Sequence, residues 1–130
     1  MIFHFEHGAL PGSLELAYLG DTLYDLYVRE HLIAGGGKVT KLHRRAISLV
    51  CAHAQSEALG RIADRLTEAE SDVVRRARNA RQTPPRNADP AEYHHATALE
   101  ALIGWLYVTG QRERMNELLA LALPMDADAR

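Results

Sequence analysis

From Ser13 to Ile33 the chain reads SLELAYLGDTLYDLYVREHLI, and its apolar positions fall at helical spacing. Leu16, Leu19, Leu23 and Leu26 predict an α-helix. Tyr18, Tyr24, Tyr27 and Val28 make most of the remaining faces apolar as well. A helix that is apolar almost all round is either buried or shared between a core and a partner subunit. Ser13 is its expected N-cap. Ala34-Gly35-Gly36-Gly37 ends it, because glycine leaves helical geometry cheaply.

The same reading continues down the chain. Thr40 is the expected cap of a second helix carrying Leu42, Ala46, Leu49, Val50, Ala54 and Ala58. Thr67-Glu68-Ala69-Glu70 has the capping-box pattern and opens a third, with Val73, Val74 and Ala77 on its apolar side. Residues 82–88 read as a loop. Asp89-Pro90-Ala91-Glu92 starts a fourth helix with a cap, a first-turn proline and a glutamate at the third position. That helix runs through Leu99, Leu102, Ile103 and Leu106 to Gly110, and a short fifth spans Arg112 to Leu123. No stretch alternates as a strand does. The fold class expected is all-α, a bundle of about five helices in one domain over residues 1–130. Residues 1–12 are a lead-in and 124–130 a flexible, frayed tail.

Composition narrows the setting. With 47% apolar and 25% charged residues the chain has the balance of a soluble globular protein. No apolar run reaches the length of a membrane span, and MIFHFEHGALPG lacks the basic start and apolar stretch of a secretory signal. Cys51 is the only cysteine, which excludes an internal disulfide, suits a cytoplasmic location and reads as a small core residue. The net charge of −2 provides no global attraction to nucleic acid, so the distribution of charge carries the argument.

Two carboxylates stand inside apolar helices. Asp21 lies in the first, flanked by Ala17, Tyr18 and Tyr24; Glu100 lies in HHATALEALIGWLY. Ala96, Glu100 and Gly104 share one line at i, i+4, i+8, as do Ala17, Asp21 and Asp25, and the small residues would let the two helices approach closely. Acidic residues from facing helices hold divalent cations in bundle cores, and carboxylate-only ligation suits magnesium or manganese. The competing reading places Asp21 and Asp25 on a narrow wet stripe that only solvates the helix, and Glu100 in a structural ion pair.

Arg75, Arg76, Arg78, Arg81 and Arg86 form a basic run beside Asn79, Gln82 and Asn87, with no acidic residue between Asp72 and Asp89. Arginine forks match phosphate oxygens. Placement at a helix C-terminus explains some of these residues but not Arg86, in the loop beyond. The run has few aromatics, which favours a duplex backbone over stacked single-stranded bases. Lys38, Lys41, Arg44 and Arg45 crowd the start of the second helix, where the macrodipole disfavours cations; they fit an anionic partner or a solvated face. The histidines show no metal-ligand spacing, and there is no phosphate loop, nucleophile elbow or Cys-x-x-Cys.

LAYLGDTLYDLYVREHL around Asp21 and ATALEALIGWLYVTG around Glu100 resemble the two signature blocks of the ribonuclease III catalytic domain. The subgroup most similar is Mini-ribonuclease III, short chains without a separate double-stranded-RNA-binding domain. The resemblance covers roughly residues 13 to 122 and includes RRARNAR and Pro85-Arg86-Asn87. It implies a dimeric, magnesium-dependent endonuclease (manganese substituting) that acts on double-stranded RNA and leaves a 5′ phosphate and a 3′ hydroxyl. The substrate implied is large-subunit ribosomal RNA precursor, with a ribosomal protein or particle as helper. Asp21 and Glu100 match the family's metal-binding aspartate and glutamate, and the basic run is similar to its RNA-contacting helix end and loop; Lys38 and Lys41 join it as candidate RNA-binding residues from their charge alone. Longer relatives carry two more carboxylates, where this chain has Ala17 and Thr97. The rival from another class is a non-catalytic RNA-binding or ribosome-assembly module on the same fold, which would have no use for Asp21 and Glu100.

Overall fold

The structure, a computed structural model, describes residues 9–125. Six α-helices follow one another: α1 Ser13–Gly35, α2 Val39–Val50, α3 Ala52–Ile62, α4 Glu68–Arg78, α5 Pro90–Val108 and α6 Arg112–Ala122, with a 3-10 turn at Ala63–Arg65. No strand occurs among the described residues, as the apolar periodicity predicts. The expected frayed tail from Asp126 and the first eight residues of the lead-in lie outside the described residues.

The central helix is α5. Ten of its residues are buried, including Leu99, Leu102, Ile103 and Leu106 with no exposure, so it is enclosed on nearly every side. Helix α1 packs chiefly along it, with α3 and α4 on its other flanks. The face α1 gives to this core is Leu16, Gly20, Tyr24, Val28 and Leu32, a strict i+4 series with Ala17 beside it. Leu26, which the leucine periodicity groups with Leu16, is 52% exposed instead. Leu14, Tyr18, Leu26 and Ile33 leave an apolar stripe on the outer side of α1.

Two helix starts are set by their caps as expected. Thr67 Oγ1 accepts from Glu70 N at 3.1 Å, and Glu70 Oε1 accepts from Thr67 N at 2.9 Å. Asp89 Oδ1 accepts from Glu92 N at 3.1 Å, with Pro90 in the first turn. The capping box of α4 also reaches across the fold. The Glu70 carboxylate, 2% exposed, receives Nε and a terminal nitrogen of Arg114 from α6, both at 2.9 Å, and Arg114 also donates to Arg65 O.

Four local expectations change. The N-cap of α1 is Gly12, not Ser13, because Glu15 Oε1 reaches back to Gly12 N at 3.1 Å. The N-cap of α2 is Lys38, not Thr40, since its extended backbone already offers its carbonyl to Lys41 N and Leu42 N. The single helix expected from Thr40 to Ala58 is two, because Cys51 takes extended angles (φ −66°, ψ 160°) and breaks it. The break turns Cys51 outward, so it is exposed rather than a core residue. Its Sγ lies 3.6 Å from Ser48 O.

Candidate active site

Helices α1 and α5 cross in backbone contact, and the contact lies beside both carboxylates. A Cβ on Gly20 would sit 1.7 Å from the carbonyl oxygen of Glu100, and one on Gly104 would sit 2.1 Å from that of Leu16. Only glycine fits at either point. Gly104 lies on the line of small residues read from the sequence; on α1 the contacting residue is Gly20, one position before Asp21, rather than a member of the Ala17–Asp21–Asp25 line. Asp25 turns instead to Arg29, 3.0 Å away on the same helix.

The crossing opens into a cleft of about 370 Å³ lined by Asp21, Glu100, Gln55, Gln82, Tyr18 and Tyr93, among others. Asp21 comes from α1 and Glu100 from α5, and their carboxylates are in contact. Burial first, and then that neighbouring carboxylate, push Glu100 up to about 8; a donor on Gln55 pulls weakly the other way. No arginine or lysine pairs with Glu100 among the described residues, so the structural ion-pair reading has no partner there. Ala17 and Thr97 line the same cleft. Two carboxylates, amides and hydroxyls make an all-oxygen donor set. A divalent cation fits it chemically, since it would relieve two acids held together without a counter-charge.

Gln55 is the residue the sequence reading missed. It is 3% exposed, and its Nε2 donates to Val50 O at 2.9 Å and to Glu100 Oε2 at 3.4 Å. Its spacing held the signal: Gln55, Ala58, Leu59 and Ile62 form the buried face of α3, so a polar amide occupies an apolar line.

The basic run divides. Arg75 and Arg76 both pair with Asp72, the latter at 2.9 Å. Arg78, Arg81 and Arg86 make no ion pair with another described residue, and all three are exposed, as are Asn79 and Asn87. Arg78 is the last residue of α4 and lines a separate cavity with Arg75, Ser56 and His95, while Arg81 and Arg86 lie in the loop that follows, which contributes Gln82 to the cleft. Lys38 and Lys41 are exposed at the start of α2, which runs back along α1, so they lie at the end of that hairpin remote from Asp21. The separation is roughly 20 Å along α1 at about 1.5 Å per residue. The structure does not bring them to the cleft.

Comparison with known proteins covers this same segment. The Ribonuclease III domain family matches residues 14–111, both carboxylates included. The chain belongs to the ribonuclease III family. It is 51% identical over 111 residues to the Mini-ribonuclease 3 of Symbiobacterium thermophilum, covering 84% of this chain and 85% of that protein. It is 46% identical over 115 residues to that of Brevibacillus brevis, covering 87% and 86%. A crystal structure of a Fusobacterium nucleatum protein superposes with a TM-score of 0.79 at 33% identity, covering 84% of this chain and 85% of that one. The resemblance to Mini-ribonuclease III thus holds over most of the length, and the chain is a ribonuclease III-type endoribonuclease.

Proposed function

We propose that this endoribonuclease hydrolyses phosphodiester bonds of double-stranded RNA, as a homodimer, with magnesium or manganese held between Asp21 and Glu100. The observation that supports it most is the pair of touching carboxylates from crossing helices in a cleft open to solvent. Such a cation supplies charge neutralisation at the phosphate and activates a water. The chain's own part is to hold Asp21 and Glu100 rigidly on the α1–α5 crossing. Arg78, Arg81 and Arg86, with Asn79 and Asn87, bind backbone phosphates and set the duplex across the cleft. The stripe of Leu14, Tyr18, Leu26 and Ile33 on α1 supports a two-fold interface, which presents two equivalent clefts, one to each strand.

Within that class we assign large-subunit ribosomal RNA precursor as substrate, in the cytoplasm, with cuts that leave a 5′ phosphate and a 3′ hydroxyl. Likeness to Mini-ribonuclease 3 supports this. Arg78, Arg81 and Arg86 make a small phosphate footprint, which favours a ribosomal protein or particle as helper. The test is incubation of the purified protein with a long duplex RNA, with and without magnesium, beside Asp21→Asn. Cutting by the parent alone, and only with the metal, is expected. Binding without cutting in every arm would instead make the chain a non-catalytic RNA-binding module.

A further inference from the structure

The cleft holds two carboxylates, and among the described residues no group of three or more His, Cys, Asp or Glu side chains clusters to cage a metal. The remaining polar groups of the cleft are neutral, and Gln55 is the most deeply buried of the amides. Two bonds fix how its amide lies. Val50 O and Glu100 Oε2 are both acceptors, so the nitrogen must face them and the oxygen must face away. The Val50 carbonyl is left open by the end of α2, so Gln55 ties Glu100 to the joint between α2 and α3. Its Oε1 is buried and has no hydrogen-bond partner. A buried amide oxygen left alone calls for a donor. That oxygen costs the fold stability, so the value of the residue lies with its nitrogen.

Resting on the metal reading above, we propose that Gln55 is a positioning residue of the metal site: its Nε2 holds the Glu100 carboxylate in place for the cation. Partners of ligating groups tune metal affinity in this way, by ten- to a hundredfold on the usual scale.

Calorimetric titration of manganese into the RNA-free protein tests this, with the melting temperature of each metal-free variant measured alongside. Gln55→Met keeps the length of the side chain and removes both polar atoms. It should weaken manganese binding about ten- to a hundredfold while the metal-free melting temperature holds or rises, because an unpartnered polar atom leaves the core. A glutamine that only caps Val50 gives the reverse, a lower melting temperature with manganese affinity unchanged, and that result overturns the proposal. Gln55→Asn, which withdraws the amide by one methylene, should show the same loss of affinity if the methionine variant does not fold. Failure of both to fold assigns Gln55 to the helix joint alone and also overturns it. Asp21→Asn and Glu100→Gln run in parallel. If they bind manganese as the parent does, the metal site itself is wrong; if they lose it while Gln55→Met keeps parent affinity, only the role of Gln55 fails.

Discussion

The backbone of Gly20 rests on that of Glu100, closer than any side chain would permit, with only 1.7 Å between a Cβ there and the Glu100 carbonyl oxygen. The residue that follows in sequence is Asp21. One contact therefore sets the distance between the helices and brings the two carboxylates together.

Gly20→Ala should consequently destabilise the protein by about 2–3 kcal/mol or more, since backbone cannot yield as a side chain does. Gly104→Ala should do the same against Leu16. Gly60, inside α3 with open space around it, is the control. There alanine should stabilise by roughly 0.5–1 kcal/mol through helix propensity. Urea unfolding of the three variants checks the order; equal effects at Gly20 and Gly60 would refute the close crossing.

Glu100 links stability to pH. Its folded-state value, raised to about 8 by burial and by Asp21, lies above its ordinary value of 4.5. Between those values the folded protein binds a proton that the unfolded chain has lost, so stability falls as pH rises through the window. In chelator, the parent should lose melting temperature from about pH 5 to 8 relative to Glu100→Gln, whose curve lacks that component. Added magnesium or manganese should restore the parent toward pH 8 and leave Glu100→Gln unmoved. The same variant should lose duplex cleavage by several orders of magnitude, as electrostatic stabilisation is usually the largest catalytic term. Parallel melting curves for the two proteins would refute the linkage.

Arg78→Ala and Arg86→Ala should each weaken duplex binding and flatten its salt dependence by about one unit of slope, with folding unaffected. Arg75→Ala should matter less, because that guanidinium is shared with Asp72. Binding isotherms at several salt concentrations separate the cases. A slope that none of the three alters would assign the run to solubility.

Arg114 is the only cation on the buried Glu70 carboxylate among the described residues. Arg114→Ala should cost about 3–5 kcal/mol, the usual penalty for stranding a buried charge. It frees the start of α4, the helix that leads to Arg78, so RNA affinity should fall as well. Chemical denaturation gives the first quantity and a binding titration the second.

Leu26→Glu and Ile33→Glu test the dimer. Both residues are exposed in the protomer, at 52% and 68%, so charge there should leave the fold intact and yield monomers in sedimentation at micromolar concentration. A parent protein that is itself monomeric under those conditions would remove the case for an α1 interface.

The sequence by itself determined the helical class, the caps of α4 and α5, the stop of α1 at its glycines and the two carboxylates out of place in apolar helices. Those features are local: a cap needs residues within one turn, and apolar spacing reports burial without reference to a partner. The tertiary structure decided which face of α1 is buried. Leucine spacing favours Leu26, whereas the fit against α5 selects the Gly20–Tyr24–Val28 line, because backbone contact at Gly20 fixes how the helix is rotated. It decided that Arg75 and Arg76 are held by Asp72 while Arg78 and Arg86 stand clear, a matter of rotamer and direction that composition does not encode. It alone brought Gln55 to Glu100 and Arg114 to Glu70, 45 and 44 residues apart in the chain. Pairs so distant meet only when the packing of whole helices has fixed every position between them.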